Sequence, residues 1–175
     1  ALGTGDRGVA CVGSGQRLCA QSGIVVTSAA ATTLVVSGLG SPRTAGVAGN
    51  VTVTAKDAYG NTATGYSGTV HFSSSDGGAV LPANTTLSAG VGTFSVTLET
   101  AGTQSVTATD TGNSSITGTQ SGIVVNPAAA THLAVSGLAS PRTAGVAGSI
   151  TVTALDAYGN RVSSYTGTVK FTSSD

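Results

Sequence analysis

Val51-Thr-Val-Thr-Ala-Lys-Asp-Ala-Tyr-Gly-Asn61 decides how this chain is read. Its first six residues alternate apolar and polar side chains with period two, the pattern of a half-buried strand. Val51, Val53 and Ala55 fall on a core face, and Thr52, Thr54 and Lys56 on the other. Asp57 can accept hydrogen bonds from N–H groups two residues on, while Gly60 and Asn61 tolerate left-handed backbone angles. The stretch therefore predicts a strand that ends in a tight turn. It returns almost unchanged as Ile150-Thr-Val-Thr-Ala-Leu-Asp-Ala-Tyr-Gly-Asn160.

The repetition reaches well beyond this stretch. Gln21-Ser-Gly-Ile-Val-Val26 recurs as Gln120-Ser-Gly-Ile-Val-Val125, and the match runs on to Asp76 and Asp175 at an offset of about 99 residues. About 70% of the paired positions are identical. A period of this length is one immunoglobulin-like β-sandwich domain, not a short solenoid repeat.

Within one period the alternation predicts seven strands. They are Leu34–Ser37, Val51–Lys56, Gly68–Ser73 with Val70 and Phe72 inward, a weak fourth at Ala79–Leu81, Gly92–Glu99, Gln104–Thr109 and Ser115–Val125. Gly, Asn, Asp and Pro occupy the connections, as a sandwich requires. The fold class is all-β: tandem immunoglobulin-like sandwiches of about seven strands, the second incomplete. The boundaries fall at 1–26 (a β-hairpin tail), 32–125 (a complete domain) and 131–175 (the first half of another, strands A to C).

Composition narrows the function. Among 175 residues only 8% are charged and the formal net charge is zero. Nucleic acid needs a basic face, so it is excluded as a partner. No apolar run approaches the roughly 18 residues of a membrane span, which argues against membrane insertion.

The series Val51–Asn61, then Gly92-Thr-Phe-Ser-Val-Thr-Leu98, then Ala101-Gly-Thr-Gln-Ser-Val-Thr-Ala108 resembles bacterial immunoglobulin-like repeats of the invasin and intimin type. It is also similar to filamin-type repeats. The resemblance implies an extracellular or cell-surface protein in which such units act as stalks and spacers. Residues 1–20 match neither family.

In that tail, Gly8–Gly13 and Arg17–Gln21 flank Gly13-Ser14-Gly15, a hairpin turn signal. Cys11 and Cys19 would face each other across it, as a disulfide or as two free thiols. Gln21, Ser22, Gly23, Ile24, Val25 and Val26 repeat the last strand of a complete unit with no unit before them to finish. Two explanations remain open. The chain is cut from a longer array at Asp175, or Gln21–Val26 is a donor strand that completes the C-terminal half-unit of another molecule, giving head-to-tail polymers.

Reaction chemistry is not expected. No Gly-x-Ser-x-Gly elbow joins a strand to a helix, and His71 sits on an outward position that becomes Lys170 in the second copy. Asp57, Asn61, Asp76, Asp110 and Asn113 are loop oxygens that calcium could use, but turn formation explains each of them without a metal. No other cofactor is implied. The copies diverge at Thr62, Ala63, Thr64 and Gly65 against Arg161, Val162, Ser163 and Ser164, which makes this the candidate binding loop. The expected function is a structural stalk or filament subunit whose partners are other copies of itself or adjacent repeats. The alternative is an adhesin that recognises a glycan or receptor through loops at a sandwich end.

Overall fold

The computed structural model describes residues 25–174. The predicted tail hairpin, Cys11, Cys19 and Gln21–Ile24 lie outside the described residues. Within them the protein is all-β, and residues 33–126 form an immunoglobulin-like sandwich.

One layer is a three-stranded antiparallel sheet. It contains β1 (Thr33–Ser37), β3 (Ala48–Lys56) and β6 (Val91–Thr97), with β3 in the middle. The other has five strands in the order β2 (Arg43–Thr44), β8 (Thr117–Asn126), β7 (Gly102–Asp110), β4 (Thr69–Ser74) and β5 (Thr85–Thr86). β2 runs parallel to β8, and the remaining pairs are antiparallel.

Period-two alternation builds the core. Val51, Val53 and Ala55 on β3 are fully buried, facing Val70 and Phe72 on β4, Val106 and Ala108 on β7, and Ile123 and Val125 on β8. The Phe72 and Phe94 rings meet edge to face with centroids 4.9 Å apart, a geometry that places a positive ring edge against a negative face. On the outer faces, threonines pair across strands. Thr107 meets Thr119 at 2.8 Å and Thr109 meets Thr117 at 2.9 Å. A surface poor in charge thus satisfies its polar atoms laterally.

Two expectations need correction. Ala79–Leu81 is not a strand: only Val80 bridges, to Thr97, and the short fourth strand is β5, after Pro82. One bridge cannot propagate into Pro82, which has no N–H to donate. In the second copy, β9 (His132–Ser136) and β10 (Thr151–Leu155) pair in the register of β1 and β3. The expected third strand, however, is absent, and residues 166–174 carry no strand. Its counterpart β4 is held between β5 and β7, and the described part of the second copy contains no equivalent of either.

Candidate functional site

The repeated turn lies at the end of the sandwich where the chain enters. Asp57 accepts hydrogen bonds from Tyr59 N (2.9 Å), Asn61 N (2.9 Å) and Asn61 Nδ2 (3.1 Å). It also accepts one from Ala29 N (3.0 Å), which ties the incoming connector to the turn. Burial pushes the Asp57 carboxyl up, but these donors outweigh it and hold the group below its ordinary 3.8. Asp156 repeats every contact: Tyr158 N at 2.9 Å, Asn160 N at 2.8 Å, Asn160 Nδ2 at 2.9 Å and Ala128 N at 2.9 Å.

What the second turn does next is not visible in its own sequence. Asn160 reaches across to the far end of the first-copy sandwich. Its Nδ2 donates to Glu99 O at 2.7 Å, and its Oδ1 accepts from Ala101 N at 2.8 Å. The Tyr158 ring lies against Gly46, where a Cβ would collide with it. Gly46 has φ +79°, a left-handed conformation, so glycine serves both the backbone and the contact. Two side-chain-to-backbone bonds, at about 1 kcal/mol net each, hold the two ends together.

The other predicted site residues are spent on structure. Asp76 accepts from Gly78 N, Glu99 N and Thr100 N at 2.6–2.9 Å. Asp110 accepts from Gly112 N (2.7 Å), Asn113 N (2.8 Å) and the Tyr66 hydroxyl. The Tyr66 bond, ahead of an opposing burial effect, lowers the Asp110 carboxyl. Burial first, and then Asp110, raises the Tyr66 phenol. Asp57, Asp76 and Asp110 therefore point at N–H and O–H donors rather than converging with Asn61 and Asn113 on a common point. Among the described residues, no three His, Cys, Asp or Glu side chains gather as metal ligands. His71 is exposed, with Nδ1 2.9 Å from Asn84 Oδ1.

Several residues of the candidate binding loop make structural contacts. Ala63 is in the core, its N–H donating to Ala55 O at 2.9 Å. Thr62 accepts from Lys56 Nζ at 3.1 Å, and Thr64 N donates to Ser28 Oγ at 3.2 Å. Gly65 alone of the four is exposed without a pinning contact among the described residues. In the second copy, Arg161 bridges Leu155 and Val162 N donates to Ala154 O, while Ser163 and Ser164 are exposed. Sequence reading missed Tyr158 and Asn160 as joint residues. Their one available signal was the retention of Asp-Ala-Tyr-Gly-Asn in both copies beside four positions that changed.

The fold defines an immunoglobulin-like β-sandwich module. Among solved structures, FdeC, an Escherichia coli adhesin, aligns over 79% of this chain at 23% identity with a TM-score of 0.51. Domains 4–9 and 5–6 of the surface-layer protein SbsC align at 21% and 20% identity, each with a TM-score of 0.40. The aligned region spans 46% of the FdeC chain, so the likeness is one of fold. No protein-family model and no curated protein sequence matches the chain.

Proposed function

We propose that the chain is an extracellular or cell-surface structural protein, a spacer of immunoglobulin-like units set in series. The observation that carries this reading is the Asn160 joint, in which one copy's entry turn is bonded to the other copy's exit end. A binding module has no need to lock its neighbour's orientation; a spacer does. The fold shared with FdeC, an adhesin, supports a surface-protein setting. Small-angle scattering tests the reading: an elongated particle with a fixed cross-section is expected, and a freely hinged profile would overturn it.

The finer reading is head-to-tail polymerisation by strand complementation, and the state of the second copy favours it. Its core-forming side chains lie open, with Phe171 60% exposed against 3% for Phe72. Val135, Ile150 and Leu138 are likewise exposed. The contacts that β8 makes with the start of its sandwich also recur in sequence. Gln120 clamps the Leu39 backbone through its Oε1 and Nε2, Ser41 Oγ donates to Gly122 O, and Arg43 pairs with Val125. Gln21, Gly23 and Val26 stand where Gln120, Gly122 and Val125 do, and Leu138, Ser140 and Arg142 where Leu39, Ser41 and Arg43 do. The donor segment and the acceptor half carry matching halves of one interface. Native mass spectrometry should find assemblies at multiples of 16.7 kDa that Val26→Asp dissolves. Monomer alone at high concentration would end the polymer reading and leave the spacer intact.

A further inference from the structure

We infer that the entry end of the first-copy sandwich, centred on the turn Asp57–Asn61, is a docking surface for the exit end of another immunoglobulin-like unit of this same repeat. The inference rests on the serial-spacer reading and extends it to a surface that the described residues leave open.

The second copy shows what this turn is for, because there it is occupied. The two turns are superimposable in their bonds, and both place glycine at φ +83°, Gly60 and Gly159. Each is fastened to its connector through one N–H, Ala29 or Ala128, donating to the same aspartate oxygen. The chain thus enters both copies at the same point. The residues that precede the two connectors are also the same, Gln21–Val26 and Gln120–Val125.

The occupancy of the two turns differs. Tyr59 is 84% exposed where Tyr158 is 44%, and Val26 is 86% exposed where Val125 is 2%. Asn61 Nδ2 is held by Asp57, and its Oδ1, the counterpart of the Asn160 atom that accepts from Ala101, has no partner among the described residues. Val26, Thr27, Ser28, Asn61, Thr62 and Thr64 line a shallow open groove beside it. Because Asp57 already orients the Asn61 amide, docking costs little side-chain ordering.

The occupant's chemistry follows from the occupied joint. It must offer a backbone carbonyl and an N–H two residues apart, as Glu99 and Ala101 do, and a glycine where any Cβ would strike the tyrosine, as Gly46 does. The exit end of this repeat supplies all three. The contacts shown are two hydrogen bonds to backbone and a tyrosine against a glycine, so selectivity rests on hydrogen-bond spacing and the glycine.

The test inserts a further copy of residues 27–125 after Val125 in the full chain, so that an Asp57–Asn61 turn follows a complete exit end. Tyrosine nitration by tetranitromethane is the readout. The inserted Tyr59 should react as slowly as Tyr158 and more slowly than the leading Tyr59, and Asn61→Ala in the inserted copy should restore fast reaction. Equal reactivity of the two Tyr59 residues, with Tyr158 still protected, overturns the inference and leaves the spacer reading standing. A fully reactive Tyr158 in the parent chain overturns both. A second measurement needs no inserted unit. Leu155→Lys, Arg161→Thr, Val162→Ala, Ser163→Thr and Ser164→Gly together give the second copy the first copy's turn surroundings. Tyr158 should stay protected, and its exposure to nitration would refute the competence of that sequence to dock.

Discussion

The two copies of one repeat differ in what surrounds them more than in what they are. Leu34 and Val36 on β1 are buried, while their counterparts Leu133 and Val135 on β9 are 38% and 62% exposed. The ladder between β9 and β10 forms in the same register regardless. Local alternation and the Asp-anchored turn are therefore enough to specify a strand pair, but a pair has no second sheet to bury its apolar face. Burial belongs to the assembly, and strand pairing to the segment.

The comparison can be broken most directly at the phenylalanines. Phe72→Ala should destabilise the sandwich by about 3–5 kcal/mol in urea denaturation, whereas Phe171→Ala in the monomer should cost under about 0.5 kcal/mol. Comparable losses at both sites would mean that the second copy is buried in solution, and a loss at Phe171 that grows with protein concentration would point to strand complementation.

A smaller contrast is expected at the tyrosines. Tyr66 donates to the buried Asp110, so Tyr66→Phe should cost about 1 kcal/mol. Tyr165 is 41% exposed, and Tyr165→Phe should leave the unfolding midpoint unchanged.

Acid sharpens the same contrast. Asp57, Asp76, Asp110 and Asp156 all titrate below their ordinary 3.8 in the folded chain. For Asp57, Asp76 and Asp156 burial pulls upward and the N–H and side-chain donors prevail; for Asp110 the Tyr66 bond leads. The unfolded chain then takes up protons first as pH falls. The stabilisation is complete above about pH 4 and drains away as pH drops through the lower folded values. Urea midpoints measured from pH 5 to pH 2 should fall, and Asp110→Asn should flatten that slope. Three of these carboxylates serve the sandwich itself, so the sandwich should respond to acid more than the β9–β10 pair does, as resolved by residue-level amide exchange.

The last change concerns the joint. Asn160→Ala removes the bonds to Glu99 and Ala101 but leaves the sandwich core intact. The sandwich should lose no more than the roughly 2 kcal/mol that those two bonds supply, while residual dipolar couplings of the two copies should stop fitting one alignment frame. Retention of a single frame would show that the Tyr158–Gly46 contact alone holds the ends together.

Much of this was legible in the chain itself. Alternation along Val51–Ala55, Val70–Phe72 and Gln104–Thr109 marked strands and their buried faces, because a strand's two faces are written every second residue. Asp57 and Gly60 marked the turn, because its bonds close within four residues. The fourth strand was misplaced, since choosing between Val80 and Thr85–Thr86 depends on which segment reaches β4. The variability at Thr62–Gly65 gives no sign that Ala63 turns back into the core. Asn160 was read as a turn residue, and its second task depends on Glu99 and Ala101, some sixty residues earlier. Sequence by itself determined the sandwich, its repetition and the local geometry of each turn, all set by neighbours in the chain. Tertiary structure alone decided which turn is a joint, since that requires two ends of different units to meet, and no local pattern records such a meeting.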